Sequence, residues 1–207
     1  MHLLLTDRLT CPRCGPGFGL ILLTKRLEDR RVFDGSLGCP NCRDRFPIQG
    51  GFADLRPPPR DPLGAAPQPT VPSGQDTERI LALIGQLEGP GNVALVGDAW
   101  VHAAALADRL PEVEAVAVDA AARGDVERDR VSRMVAGGDL PFNPWTFRAL
   151  VSAGDAVDPE EALRVVARGG RVVIERAPAG ARARLEGARA RILLDESGWI
   201  VALRETS

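Results

Sequence analysis

Two cysteine pairs of the same spacing constrain this chain more than any other feature. Cys11 and Cys14 stand in "CPRC", Cys39 and Cys42 in "CPNC", and 24 residues separate the pairs. Each short pair can form a knuckle that points two thiolates at one metal, and four such ligands suit a tetrahedral zinc site. The intervening segment can return as a hairpin, because "GLILLTKRL" and "RRVFDGSLG" both contain strand-like runs. A segment this small has little core, so bound metal would supply much of its folding free energy.

Disulfides and a redox CxxC are the other readings of such pairs. Disulfides persist in oxidising compartments. "LLL" at positions 3–5 is too short for a signal-peptide core, and no small-residue cleavage site follows. A redox CxxC normally occurs once, at the start of a helix after a strand. Zinc is therefore the expected ligand of Cys11, Cys14, Cys39 and Cys42. Four sulfur ligands leave no position for water, so the expected role is structural. The expected compartment is cytoplasmic. No apolar run reaches the roughly 20 residues that span a bilayer, so no membrane partner is expected. A formal net charge of -2 supplies no strong field for nucleic acid or anionic lipid.

Composition changes sharply after the second pair. Residues 56–75, "RPPPRDPLGAAPQPTVPSGQ", hold seven prolines and lack the apolar periodicity needed to bury a face. Such a stretch reads as a semi-rigid spacer with few contacts. It divides the chain into a ribbon over 1–55, a linker over 56–75 and a larger unit over 76–207. In that unit Ile80, Leu81, Leu83, Ile84 and Leu87 fall at helical spacing behind a cap at Asp76 or Thr77. "NVALVGD" reads as a strand, "AWVHAAALADRL" as a helix, "VEAVAVDAAA" as a strand and "DVERDRVSRMVAGG" as a helix. "RALVSAG" reads as a strand, "PEEALRVVARGG" as a helix, "RVVIERA" as a strand, "ARARLEGARARILLDES" as a helix and "GWIVALRE" as a closing strand. The alternation predicts an α/β class, a doubly wound, Rossmann-like parallel sheet covered on both faces.

Ligands of such sheets lie at the carboxyl ends of the strands, at the switch point. Gly97 ends the first strand there. Asp119 ends the second, 22 residues later, where an acid can accept hydrogen bonds from a ribose diol. With one glycine in the loop, Gly97 reads equally well as a strand terminator and Asp119 as a turn residue. His102 follows on the helix, as a general base at the site mouth or as a packing residue. Trp145 and Trp199 read as core or sheet-packing residues. Arg182, Arg184, Arg189 and Arg191 read as a solvated basic face or as a contact for RNA or a partner.

Two resemblances extend this reading. "LLTDRLTCPRCG" and "LGCPNCRDRFPIQGGFADLRP" resemble the zinc-ribbon activator family of tRNA and rRNA methyltransferases, through the Leu-rich start, the two CxxC knuckles and Phe46, Pro47, Ile48, Gly50, Gly51 and Phe52. The likeness covers about residues 1–56, and a similar ribbon is fused ahead of some bacterial methyltransferases. Residues 1–55 carry eight Lys/Arg and six Asp/Glu, a weakly basic balance compatible with touching RNA. "GGDLPFNPWTFRALVSAGDAVDPEEALRVVARGGRVVIERA" resembles the second half of class I S-adenosylmethionine-dependent methyltransferases. Asp139, Leu140, Pro141, Phe142, Phe147, Leu163, Arg164, Gly169 and Gly170 fall in place. This second likeness covers roughly residues 76–205. It implies S-adenosylmethionine as cofactor, with Gly97 in the loop, Asp119 at the ribose and Asp139 at the adenine.

The departures sit at the chemistry. The family's first loop reads acid-x-Gly-x-Gly-x-Gly, whereas this chain has Leu95, Val96, Gly97, Asp98, Ala99, Trp100 and Val101. Glycines in that loop let the backbone approach the cofactor; Trp100 would lie over the cofactor space or fold inward to fill it. Arg148 follows Phe147 where the family has an acid, and no Pro precedes Gly169. The closing hairpin is reduced to "GWIVALRE", so the fold is expected to be truncated at its C-terminus. The reading that follows is a methyltransferase-like protein with a structural zinc ribbon, acting without catalysis as a scaffold or partner-binding module. The alternative is an active methyltransferase for RNA, protein or a small molecule; a third reading is a doubly wound domain that binds another nucleotide or nothing. The expected partner is a protein such as a methyltransferase or translation-related factor, with RNA contact a further expectation.

Overall fold

The computed structural model describes residues 1–65, 72–85, 87–125 and 128–205; residues 66–71, in the middle of the expected linker, lie outside them. The chain opens with a short helix α1 (Leu3–Thr6) and an antiparallel pair, β1 (Thr10–Cys11) and β2 (Gly15–Gly19). The expected hairpin follows as β3 (Ile21–Glu28) and β4 (Arg31–Gly38). Its turn residues Asp29 and Arg30 both take positive φ, 45° and 61°, the geometry that matches the twist of the flanking strands. Two more antiparallel strands complete the ribbon, β5 (Arg45–Gln49) and β6 (Phe52–Leu55).

Helix α2 (Gly74–Ile84) begins earlier than its apolar spacing suggested, because Ser73 is the cap and accepts from the Asp76 N–H at 3.2 Å. Then come β7 (Gly91–Val96), a 3-10 turn over Gly97–His102, α3 (Ala103–Arg109), β8 (Val113–Val118) and a second 3-10 turn over Ala120–Gly124. The chain continues through β9 (Val131–Ala136), β10 (Phe147–Ala153), α4 (Pro159–Val165) and β11 (Val166–Glu175). It closes with α5 (Ala181–Gly187), β12 (Ala190–Glu196) and β13 (Trp199–Arg204).

Eleven strands form one sheet in the order β12-β13-β11-β10-β7-β8-β9-β6-β5-β4-β3. Neighbours from β11 through to β6 are parallel. The order reverses between β7 and β10, the switch point of a doubly wound sheet. Helices cover both faces, as expected. Ile80, Ile84 and Leu106 of α2 and α3 pack on one face; Leu5, Leu163 and Leu185 of α1, α4 and α5 pack on the other.

Three expectations are corrected here. The segment 125–138, read as a helix, carries strand β9. It lies inside the sheet with β8 on one side and β6 on the other, so even its polar residues Ser132 and Arg133 are buried. The long helix read over 181–197 ends at Gly187, and Arg189 at φ 63° turns the chain into β12. The closing hairpin is therefore complete: β12 and β13 pair antiparallel, with β13 antiparallel to β11. The C-terminal edge of the sheet is not truncated.

The ribbon joins the larger unit through the sheet itself. Strand β6 runs parallel beside β9, Phe52 opposite Arg133 and Leu55 opposite Ala136. Polar side chains stitch this seam. Arg31 of β4 donates to both oxygens of Glu114 of β8, at 2.9 and 3.3 Å. Ser132 Oγ donates to the same carboxylate at 2.5 Å, and Arg133 Nη2 donates to the Gly50 carbonyl at 2.9 Å. Among the described residues no helix is long and apolar enough to cross a membrane.

Candidate functional site

The ribbon brings its four cysteines together. Cys11 ends β1, and Cys14 follows one turn later with its N–H directed at Cys11 Sγ, 3.4 Å away. Cys39 leaves β4, and the Arg43 N–H to Cys39 carbonyl bond of 3.0 Å closes the second knuckle around Cys42. The four sulfurs lie within 4.8 Å of one another. Cys11 and Cys42 are 3.7 Å apart and Cys39 and Cys14 are 3.9 Å apart. A tetrahedral ion with ~2.3 Å metal–sulfur bonds has sulfur–sulfur edges of about 3.8 Å, so the spacing fits an ion. A disulfide needs ~2.05 Å, and all four are free thiols.

Crowding makes the thiols unequal. At Cys39 burial opposes ionisation, but the N–H groups of Cys42 and Asn41 and the neighbouring thiols outweigh it and bring the group down to about 7. Cys42 has the Asp44 N–H in its favour, yet burial and the surrounding sulfurs push it up to about 12. Burial also raises Cys11. A bound cation would favour the thiolate form of all four. Asn41 Nδ2 lies 3.3 Å from Cys14 Sγ and supplies an outer donor to the cluster.

The second candidate lies at the carboxyl edge of the parallel strands. Gly97 leaves β7 with φ 62°, a conformation glycine adopts without strain. A Cβ added there would stand 2.4 Å from Ala156 Cβ. The glycine thus serves a close approach between its own loop and the β10–α4 connection. Ala99 and Trp100 turn inward and are buried in the cluster that holds Ile80, Ile84 and Leu106. Trp100 is expected to lie over the cofactor space or to fill it; its ring instead joins this core cluster. His102 is buried beside it, with Nδ1 2.9 Å from Thr77 Oγ1, and burial pushes its pKa below the ordinary 6.5. At the rim, Arg176 donates to Asp98 at 2.8 Å.

Asp119 follows β8, and its carboxylate accepts from the Ala121 N–H at 2.7 Å, capping the turn that follows. Asp139 is exposed in the segment after β9. The turn beside it is fixed by α4: Leu140 N–H donates to Glu161 Oε1 at 2.9 Å, and Arg164 donates to the carbonyls of Leu140 and Phe142 at 2.9 and 2.8 Å. Gly97, Asp119 and Asp139 therefore share one edge of the sheet, following β7, β8 and β9.

The basic residues near the C-terminus do not form one face. Arg182 and Arg184 of α5 pair with Glu186 and Asp158, while Arg191 lies on β12. Sequence reasoning also missed a cleft of about 370 Å³ beside the end of β6, lined by Asp54, Arg56, Arg60 and Arg123 among others. Its arginines fix the first part of the Pro-rich segment. Arg56 grips Asp54 at 2.9 and 2.8 Å, and Arg123 donates to the Leu63 carbonyl at 3.3 Å.

No family model and no curated protein matches the chain. Solved structures similar to it are methyltransferases. An S-adenosylmethionine-dependent methyltransferase from Aquifex aeolicus is 16% identical, with a TM-score of 0.49 over 61% of this chain and 88% of its own. A protein of Anabaena variabilis ATCC 29413, assigned as a methyltransferase of an antibiotic biosynthesis pathway, is 19% identical, with a TM-score of 0.43 over 52% of this chain and 47% of its own. Phosphoethanolamine N-methyltransferase 2 of Haemonchus contortus is 17% identical, with a TM-score of 0.40 over 56% of this chain and 33% of its own. The chain thus spans less than half of the last two proteins.

Proposed function

We propose that this chain is a methyltransferase-like module that does not transfer methyl groups, a scaffold in which a structural zinc centre and an α/β sheet together present a surface to a protein partner. One observation carries the reading: the space beside Gly97 is taken by Ala156, 2.4 Å from where a Cβ would stand. The side-chain-free backbone that a cofactor loop offers its ligand is here used for packing. Zinc is the metal the donor set favours, since four thiolates suit a soft tetrahedral ion and leave no open position for water. The partner proposed is a methyltransferase or a translation-related factor.

Isothermal titration with S-adenosylmethionine and S-adenosylhomocysteine tests the reading. The expected result is no binding, or a Kd above roughly 1 mM, an affinity of about 4 kcal/mol or less. Micromolar binding would overturn it. An active enzyme would then be the better account, with Gly97, Asp119 and Asp139 as the cofactor contacts.

A further inference from the structure

The turn into β10 carries an aromatic ring that neither turn chemistry nor packing requires. Thr146 Oγ1 donates to the Asn143 carbonyl at 2.7 Å across a tight turn with Pro144 second and Trp145 third. Trp145 has φ 65°, the left-handed state that glycine or asparagine supplies at the third position of Pro-led turns. A bulky residue held there is strained, and such strain collects at functional sites. Burial offers no compensation: Trp145 is 54% exposed, whereas Trp100 and Trp199 are each 7% exposed. The expectation that Trp145 packs in the core is thus corrected.

Two guanidiniums approach the ring, with Arg168 Cζ 5.6 Å and Arg204 Cζ 5.8 Å from its centroid, within cation–π reach. Arg204 is anchored, donating to the carbonyls of Leu163, Arg164 and Val166 at 2.6, 3.0 and 2.9 Å. Arg168 is exposed beside Gly169. Among the described residues neither arginine has a carboxylate partner. Burial, and then the charge of Arg168, hold Arg204 below the ordinary arginine value; among the described residues the two like charges have no carboxylate between them. The three residues lie at the amino edge of the parallel strands, away from Gly97, Asp119 and Asp139.

We propose that Trp145, Arg168 and Arg204 form a binding site for a planar aromatic base carrying phosphate, the base stacking on Trp145 and the phosphate neutralising the two guanidiniums. Stacking on one ring with backbone neutralisation tolerates any base, so weak sequence preference is expected. Two sources supply this chemistry, a free nucleotide and a single-stranded nucleic acid. The site stands whether or not the methyltransferase-like domain is active.

The test uses the full chain and two probes, adenosine 5′-monophosphate and a short labelled single-stranded RNA. Binding is followed by tryptophan fluorescence and anisotropy at low and high salt. Trp145→Gly separates binding from folding, because glycine relieves the left-handed backbone. This variant is expected to melt no lower than the wild type while losing about tenfold or more in affinity. Arg168→Ala is expected to weaken binding and flatten its salt dependence. Binding of both probes, or of RNA alone, supports the site and distinguishes the source. Failure of both probes to bind the wild type, or wild-type affinity in Trp145→Gly, would overturn it.

Discussion

Replacing Glu114 by alanine should unfold the ribbon and the α/β sheet together. The carboxylate joins three strands, accepting from Arg31 of β4 and from Ser132 of β9 while it sits on β8. Both members of the ion pair are buried, with side chains 7% and 9% exposed. Loss of one partner leaves a buried guanidinium without this carboxylate, a cost of about 3–5 kcal/mol. For a chain of this size that lowers Tm by roughly 6–20 °C. Asp108→Ala is the control, since its pair with Arg128 is exposed at 61% and 51% and screened pairs contribute little. Urea unfolding followed by tryptophan fluorescence measures the α/β unit, which holds all three tryptophans, and metal release to a chromophoric chelator measures the ribbon. Both transitions should move to lower urea by the same amount. The double variant Arg31→Met/Glu114→Leu should recover most of the loss, because an apolar pair of similar volume has no charge to desolvate. A Glu114→Ala midpoint equal to the wild type, or a shift in one transition alone, would refute the idea that this pair couples the two units.

Elemental analysis of protein purified without chelator should give one zinc per chain, and Cys14→Ser should lose it; a content well under one would refute the assignment. Trp100→Ala should cost about 3–5 kcal/mol, read by thermal unfolding, with no gain in S-adenosylmethionine affinity, because the ring fills the core rather than the cofactor mouth. His102 is held neutral by burial, its folded pKa lying below the unfolded 6.5. Its stabilising contribution is therefore fully present above pH 6.5 and lost as pH falls through the folded value. His102→Gln should reduce the drop in Tm between neutral and mildly acidic pH, and an unchanged drop would show that His102 does not contribute to it.

What could be read from the sequence was local. The cysteine spacing needs only two tight knuckles, and the continuous apolar runs at Val93–Val96 and Ala115–Val118 declare buried strands without reference to a partner. Strand β12 was readable but hidden: Ile192 and Leu194 alternate with more exposed residues, yet they follow a true helix with only Gly187 to mark the break. The placement of Trp100 and the exposure of Trp145 were not readable, because spacing does not say which side of a turn faces solvent. Strand β9 shows the deeper limit. Ser132 and Arg133 interrupt its apolar pattern, and a helix accommodates polar residues at that spacing more readily than a strand buried on both faces. Both are tolerated in mid-sheet because each has a partner on another element: Glu114 accepts from Ser132, and the Gly50 carbonyl in the ribbon accepts from Arg133. The polar residues that disguise β9 are thus the ones that bind it to its neighbours. If β6 beside β9 forms only when the knuckles close on their metal, the free energy of metal binding reaches the α/β sheet through that strand pair. Chelation should then destabilise the sheet as well as the ribbon.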